Sequence, residues 1–225
     1  MFRYGLTLNQ KGMQMQKKGF TIIEVIAVFL IILGITFFIL PVALDNTKQA
    51  QFISQWTEAY AQLEYIESVI KAQDDAALKK KFEKAKDNRV IGELVLTTIK
   101  PYLRIKAGVA QNQYKQRYMN KDKVTKGAKY YFNDFYVTEE NQIIVLKWLD
   151  RDCKNKTVCG VLSFDLNGIQ PPNTWGKDVF GINILEKGIE PIGKNEDVTT
   201  LKKDCSRYGA GVACSYFYLI GGDFE

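Results

Sequence analysis

Apolar and polar positions divide the chain into three textures. In the first, FTIIEVIAVFLIILGITFFILPVAL from Phe20 to Leu44, the only clearly polar side chains are Thr21, Glu24 and Thr36. At about 1.5 Å per residue a helix over this run is roughly 37 Å long, and a hydrocarbon core is about 30 Å thick, so the pattern predicts a membrane-spanning helix. Pro41 lies near its end; it removes one backbone hydrogen bond and crowds the preceding turn, which predicts a bend rather than a stop. From Ala50 to Lys71 the texture changes. Phe52, Ile53, Trp56, Tyr60, Leu63, Ile66 and Ile70 recur at helical spacing, predicting that residues 45–72 continue the helix with one apolar face, on which a globular head packs.

The third texture starts near Lys129. KYYFNDFYV, NQIIVLKWL, TVCGVLSFDL, VFGINIL and CSYFYLI are short runs of β-branched and aromatic residues separated by turn formers, and they follow one another without intervening helices. That order predicts an antiparallel sheet. In between, DDAALKKKFEKAKDN (74–88) reads as a solvated helix or linker, VIGELVLTTIKPYL (90–103) as a short helix interrupted at Pro101, and GVAQNQYKQRYMNKDKVTKG (108–127) as a loop. No internal repeat is present. The fold class is α+β: a long N-terminal helix, membrane-spanning in its first half, packed against a C-terminal antiparallel sheet, with residues 73–225 forming the head.

Composition changes this picture little. With 225 residues and 46% hydrophobic content, the chain can build one compact domain and an appendage. The net charge of +6 invites a nucleic-acid reading, but residues 1–19 carry Arg3, Lys11, Lys17 and Lys18 and no acid. Without those four, 27 basic residues face 25 acidic ones, leaving +2. The basicity therefore reads as a cytoplasmic flank of the membrane segment, with no nucleic-acid partner expected. A cleaved secretory signal fits poorly, because the apolar run exceeds an h-region of about 7 to 15 residues and contains an acid. Lys79, Lys80 and Lys81 lack the aromatic support of a nucleic-acid patch.

Catalysis finds no foothold. The chain contains no His, which removes the commonest general base and most zinc chemistry, and it has no phosphate-binding loop or dinucleotide fingerprint. Glu139 with Glu140 and Asp150 with Asp152 are close acids, but neighbours on a strand point to opposite faces and those at turns are solvated. The protein is not expected to be an enzyme.

Glu24 is the anomaly. A carboxylate at the centre of a membrane helix costs on the order of 2.5 to 3.5 kcal/mol, less near the interface, so it calls for a partner. Cutting the chain between Gly19 and Phe20 would create one, an α-amino group one helical turn away and equally close to the acid of a packed neighbour.

KKG followed by FTIIEVIAVFLIILG resembles the processing signal of type IV pilins and of the pseudopilins of type II secretion. The resemblance implies cleavage after Gly19 by a prepilin peptidase, N-methylation of Phe20, a role for Glu24 in filament assembly, and a helix bend at Pro41. It also implies a pilin-like head and, as partners, identical or homologous pilin subunits, the inner-membrane assembly machinery and the membrane. The protein is then expected as a single-pass inner-membrane precursor with a periplasmic head, and afterwards as a surface pilus or periplasmic pseudopilus. The leader, residues 1–19, is longer than the usual half dozen; a start at Met13 would give MQMQKKG, the usual length. The alternatives are a type II secretion pseudopilin and, in another class, a membrane-anchored adhesin or DNA-binding tip module.

The four cysteines lie on the far side of the membrane run from the basic tail. Of the three pairings, the two local ones are expected, Cys153 with Cys159 and Cys205 with Cys214; the latter would close a C-terminal loop like that of many pilins. Neither spacing suits a thiolate zinc site. The stretch FDLNGIQPPNTWGKDVFG (164–181) carries Asp165, Asn167, Asn173 and Asp178 beside Gly168, Gly176, Pro171 and Pro172. Calcium favours such oxygen ligands, and major pseudopilins use a calcium-bound loop. Tight turns need the same residues, and the turn role is the reading taken. No metal site is assigned and no cofactor is expected, calcium being the alternative.

Overall fold

The computed structural model describes residues 21–74, 97–109, 114, 116, 119, 134–148 and 158–223. One helix, α1, spans Ile22–Asp74 and runs through Pro41 without ending there. The chain divides into two units, Met1–Asn46 and Thr47–Glu225.

In the first unit, Ile22–Ile39 is long and apolar enough to cross a membrane, with a mean hydropathy of 3.0 and none of its length buried in the protein. Ile22, Phe29, Phe37 and Phe38 are all exposed. Such side chains gain nothing from water, and a lipid or protein surround removes the penalty. Thr36 donates its hydroxyl to the Ile32 carbonyl at 2.7 Å, which satisfies it within the helix.

In the second unit, a helical segment over 97–103 (α2) is followed by six strands: β1 Ile105–Val109, β2 Asp134–Thr138, β3 Ile143–Trp148, β4 Gly160–Asp165, β5 Val179–Ile184 and β6 Ile189–Pro191. They form one sheet in chain order, and each adjacent pair is antiparallel. Helices α3 (Val198–Asp204) and α4 (Cys214–Phe217) and a 3₁₀ turn, Tyr218–Ile220, close the described chain.

The expected apolar stripe is the helix's core face. Trp56, Leu63, Ile66 and Ile70 are buried, in one cluster with Leu162, Phe164, Phe180, Ile182 and Ile184 from β4 and β5. Trp56 stacks on Phe180 with ring centroids 5.4 Å apart and donates its indole N–H to the Ser215 carbonyl at 2.7 Å. The sheet is covered on its other face too, where Tyr114 joins Ile143 and Val145. That explains why β4 is buried at all six positions and why β3 reads IIVLKW instead of alternating.

The structure departs from the sequence reading at four places. CSYFYLI, expected as a strand, is α4 and the 3₁₀ turn; the disulfide and the seat of Trp56 on Ser215 outweigh its β propensity. Pro101 lies inside α2 without breaking it, and Gly108 and Val109 belong to β1 rather than to a loop. β6 and α3 have too few apolar residues to stand out. α3 is instead set by its cap: Asp197 accepts from the Thr199 and Thr200 amides at 2.9 and 3.1 Å. The charged stretch 75–88 lies outside the described residues.

Candidate functional site

The first turn of α1 is the site that the sequence singles out. Gly19 and Phe20 lie outside the described residues; Thr21 and Glu24 are within them. The Thr21 amide and hydroxyl donate to Glu24 Oε2 at 2.7 and 2.9 Å, while the Glu24 amide donates back to Thr21 Oγ1 at 3.4 Å. This is a capping box: threonine caps the helix, and the acid three residues on satisfies the threonine's own N–H. Orphan N–H groups at a helix start are costly where water is scarce, so the pair has a local use irrespective of any neighbour. Both Thr21 contacts go to Oε2, and Oε1 takes neither of them. Thr21 was missed as a functional residue, although T-x-x-E before an apolar run is a legible signal. Pro41 lies in the continuing helix.

At the other end of the chain, Cys205 and Cys214 form a disulfide with Cα atoms 5.2 Å apart, as expected. Cys205 caps the C-terminus of α3 and Cys214 opens α4, so the bond holds α4 where Trp56 meets Ser215. Asp204 supports the loop between them by accepting from the Ala210 and Ala213 amides at 3.0 and 2.7 Å. Cys159 is disulfide-bonded, and Cys153 lies outside the described residues.

The 165–178 loop uses its acids as internal acceptors. Asp178 takes the Thr174 and Asn173 amides, one on each carboxylate oxygen, at 2.5 and 2.8 Å. Asp165 takes the Tyr114 hydroxyl on Oδ2 at 2.6 Å and the Asn167 amide on Oδ1 at 3.3 Å. The Asn173 amide group, oriented by its surroundings, donates to Gln170 O, to Gly168 O at 3.2 Å and to Asp165 Oδ2 at 3.3 Å. Gly168 has φ +73° and meets the Asn141 carbonyl so closely that no Cβ would fit. These contacts give Asp165, Asn173 and Asp178 a turn-holding role. Among the described residues no group of three or more His, Cys, Asp or Glu side chains is placed to hold a metal ion. Asp150 and Asp152 lie outside the described residues.

Asp165 and Asp178 are fully buried. Burial pushes the Asp165 carboxyl up to about 8, against the hydrogen bond from Tyr114, and the Asp178 charge adds to the rise. Burial raises Asp178 as well, and it drives the Tyr114 phenol far upward, keeping it a donor. An acid whose folded pKa lies above its unfolded value binds its proton more tightly when folded, so stability falls as pH rises between the two values. Asp165 is therefore expected to make stability fall as pH rises from about 4 to about 8. Denaturant unfolding of the wild type and of Asp165→Asn at several pH values checks this: the variant should show a shallower slope even if its plateau is lower. Equal slopes would remove Asp165 as the cause.

Comparison of the chain with family models, with curated proteins and with solved structures finds no match.

Proposed function

We propose that this chain is a structural subunit that polymerises through α1 into a type IV pilus-like filament. A prepilin peptidase cuts between Gly19 and Phe20, and the new Phe20 amine becomes N-methylated. The subunit waits in the inner membrane with Ile22–Ile39 in lipid and its sheet-bearing unit outside, in a pilin-like arrangement, until the assembly machinery moves it into the filament core. There the apolar side chains exchange lipid for neighbouring helices.

The observation that carries the reading is the conjunction at the start of α1: an exposed apolar span, Ile22–Ile39, whose single acid, Glu24, uses one carboxylate oxygen for its own Thr21, directly after KKGF. The other oxygen is then available to the ammonium of an adjoining Phe20, which sets the axial register. An α+β head whose helix packs on an antiparallel sheet is compatible with this role. The test is the N-terminus of the mature protein. N-methylphenylalanine at residue 20 is expected; a chain that retains Lys17 and Lys18 would refute processing and with it the filament.

A further inference from the structure

Cys205 and Cys214 are 2% and 0% exposed. Making a disulfide from two thiols by exchange takes the approach of a third sulfur, the oxidant's, to one of them, and once both are buried it cannot arrive. The bond therefore has to close before α4 settles on the core. The contacts that seat α4 fall on the next residue, Ser215: its carbonyl accepts from the Trp56 indole at 2.7 Å and its hydroxyl from the Gly181 amide at 2.9 Å. At the moment of closure these long-range contacts are absent, so a local contact has to bring together two sulfurs nine residues apart in the chain.

The residue before Cys205 supplies that contact. Asp204 accepts the Ala210 and Ala213 amides on its two carboxylate oxygens, at 3.0 and 2.7 Å, and the Gly211 amide on its carbonyl at 3.0 Å. All three bonds lie within residues 204–213 and need neither α1 nor the sheet. Ala213 precedes Cys214 as Asp204 precedes Cys205, so tying one to the other sets the cysteines side by side, with Cα atoms 5.2 Å apart. Two glycines clear the way: a Cβ at Gly209 would collide with the Asp204 carbonyl, and Gly211 has φ +81°. The loop also starts from a helix that is fixed locally, through the Asp197 cap of α3.

We propose that Asp204 is the positioning residue for closure of the Cys205–Cys214 disulfide, holding the 205–214 loop shut as a local unit before α4 docks. An external disulfide is the oxidant. One cysteine thiolate attacks it, forming a mixed disulfide and releasing one thiolate. The other cysteine, already alongside, attacks the protein sulfur of the mixed disulfide; the Cys205–Cys214 bond forms and the second thiolate leaves. Two electrons pass to the oxidant, and the two thiol protons go to solvent. Asp204 acts at the second attack, where holding the loop raises the effective concentration of the waiting thiol. The device belongs to the head and does not depend on assembly into a filament.

The full chain in detergent is reduced and unfolded in urea, then diluted into buffer holding oxidised and reduced glutathione. Alkylation with peptide mass reads the Cys205–Cys214 pair separately from Cys159 in samples quenched over time. Pulsed hydrogen exchange of the peptide containing Gly181 reads the docking of α4. The disulfide is expected to close before that peptide becomes protected. Asp204→Ala should pass from the mixed disulfide with glutathione to the closed loop at least tenfold more slowly, and Asp204→Asn, which keeps one accepting oxygen, should fall between. Trp56→Phe, which lacks the bond to Ser215 but leaves the loop intact, should close at the wild-type rate; if Asp204 merely supported the finished fold, both variants would be slowed alike. Closure in the wild type only after the Gly181 peptide is protected, a wild-type or faster rate in Asp204→Ala, or equal slowing in Trp56→Phe would overturn the proposal.

Discussion

Glu24→Val is expected to insert in the membrane and be cleaved normally, yet to yield filaments at no more than about a tenth of the wild-type level. Each subunit interface that loses about 1.4 kcal/mol of ion pairing is weakened tenfold, and a filament repeats that loss at every step. The capping box complicates this variant, because valine removes a helix cap worth about 1 kcal/mol as well as a charge. Glu24→Gln separates the two. Glutamine can still accept from the Thr21 amide and hydroxyl, as a capping box allows, but it has no charge to offer the Phe20 amine. If the charge sets the register, Glu24→Gln assembles as poorly as Glu24→Val while Thr21→Val assembles better than either. Normal filaments from Glu24→Gln would reduce Glu24 to a helix cap. Filament yield from sheared cells, measured beside the amount of cleaved protein in the membrane, reads both quantities.

The second large effect is expected from Trp56→Ala. The ring is fully buried, stacked on Phe180 and 6.3 Å from Phe164, and its N–H bonds the Ser215 carbonyl. Truncating a buried aromatic of this size costs about 3 to 5 kcal/mol, and stranding the carbonyl adds about 1 kcal/mol. For a unit of this size the midpoint of thermal unfolding should fall by roughly 10 °C or more, as followed by far-ultraviolet circular dichroism. Trp56→Phe retains most of the packing and loses the hydrogen bond, so it should fall between the two. A Trp56→Ala midpoint within a few degrees of wild type would show that α1 is not the central packing element of the head.

Elements with a strong local signal were legible in the sequence. The unbroken apolar run, the helical spacing from Phe52 to Ile70 and the β-branched and aromatic runs that hold β2 to β5 lie where the structure has helix and strand. CSYFYLI was illegible because its conformation depends on Trp56, 159 residues before Ser215, and on Cys205. Composition favours a strand there; tertiary contacts produce a helix. The cover over the second face of the sheet was hidden for a similar reason. Tyr114 and Gln116 sit in a stretch without periodicity, and their purpose emerges only when Asp165 and Ser163 are brought to them, at 2.6 and 2.9 Å. At the site, Glu24 stood out by its chemistry alone, whereas Thr21 looked incidental until its hydroxyl was seen on the carboxylate.

The bond from Trp56 to Ser215 has a bearing on how the protein is made. Every strand in the sheet pairs with its immediate predecessor, so the hairpins can form in the order in which they are synthesised. The indole of Trp56 has to wait for the C-terminal turn before its N–H finds an acceptor. Until the ribosome has released that turn, the head is a sheet and a helix without their common clasp, and a chain truncated before Ser215 would offer quality-control proteases an unfastened aromatic core.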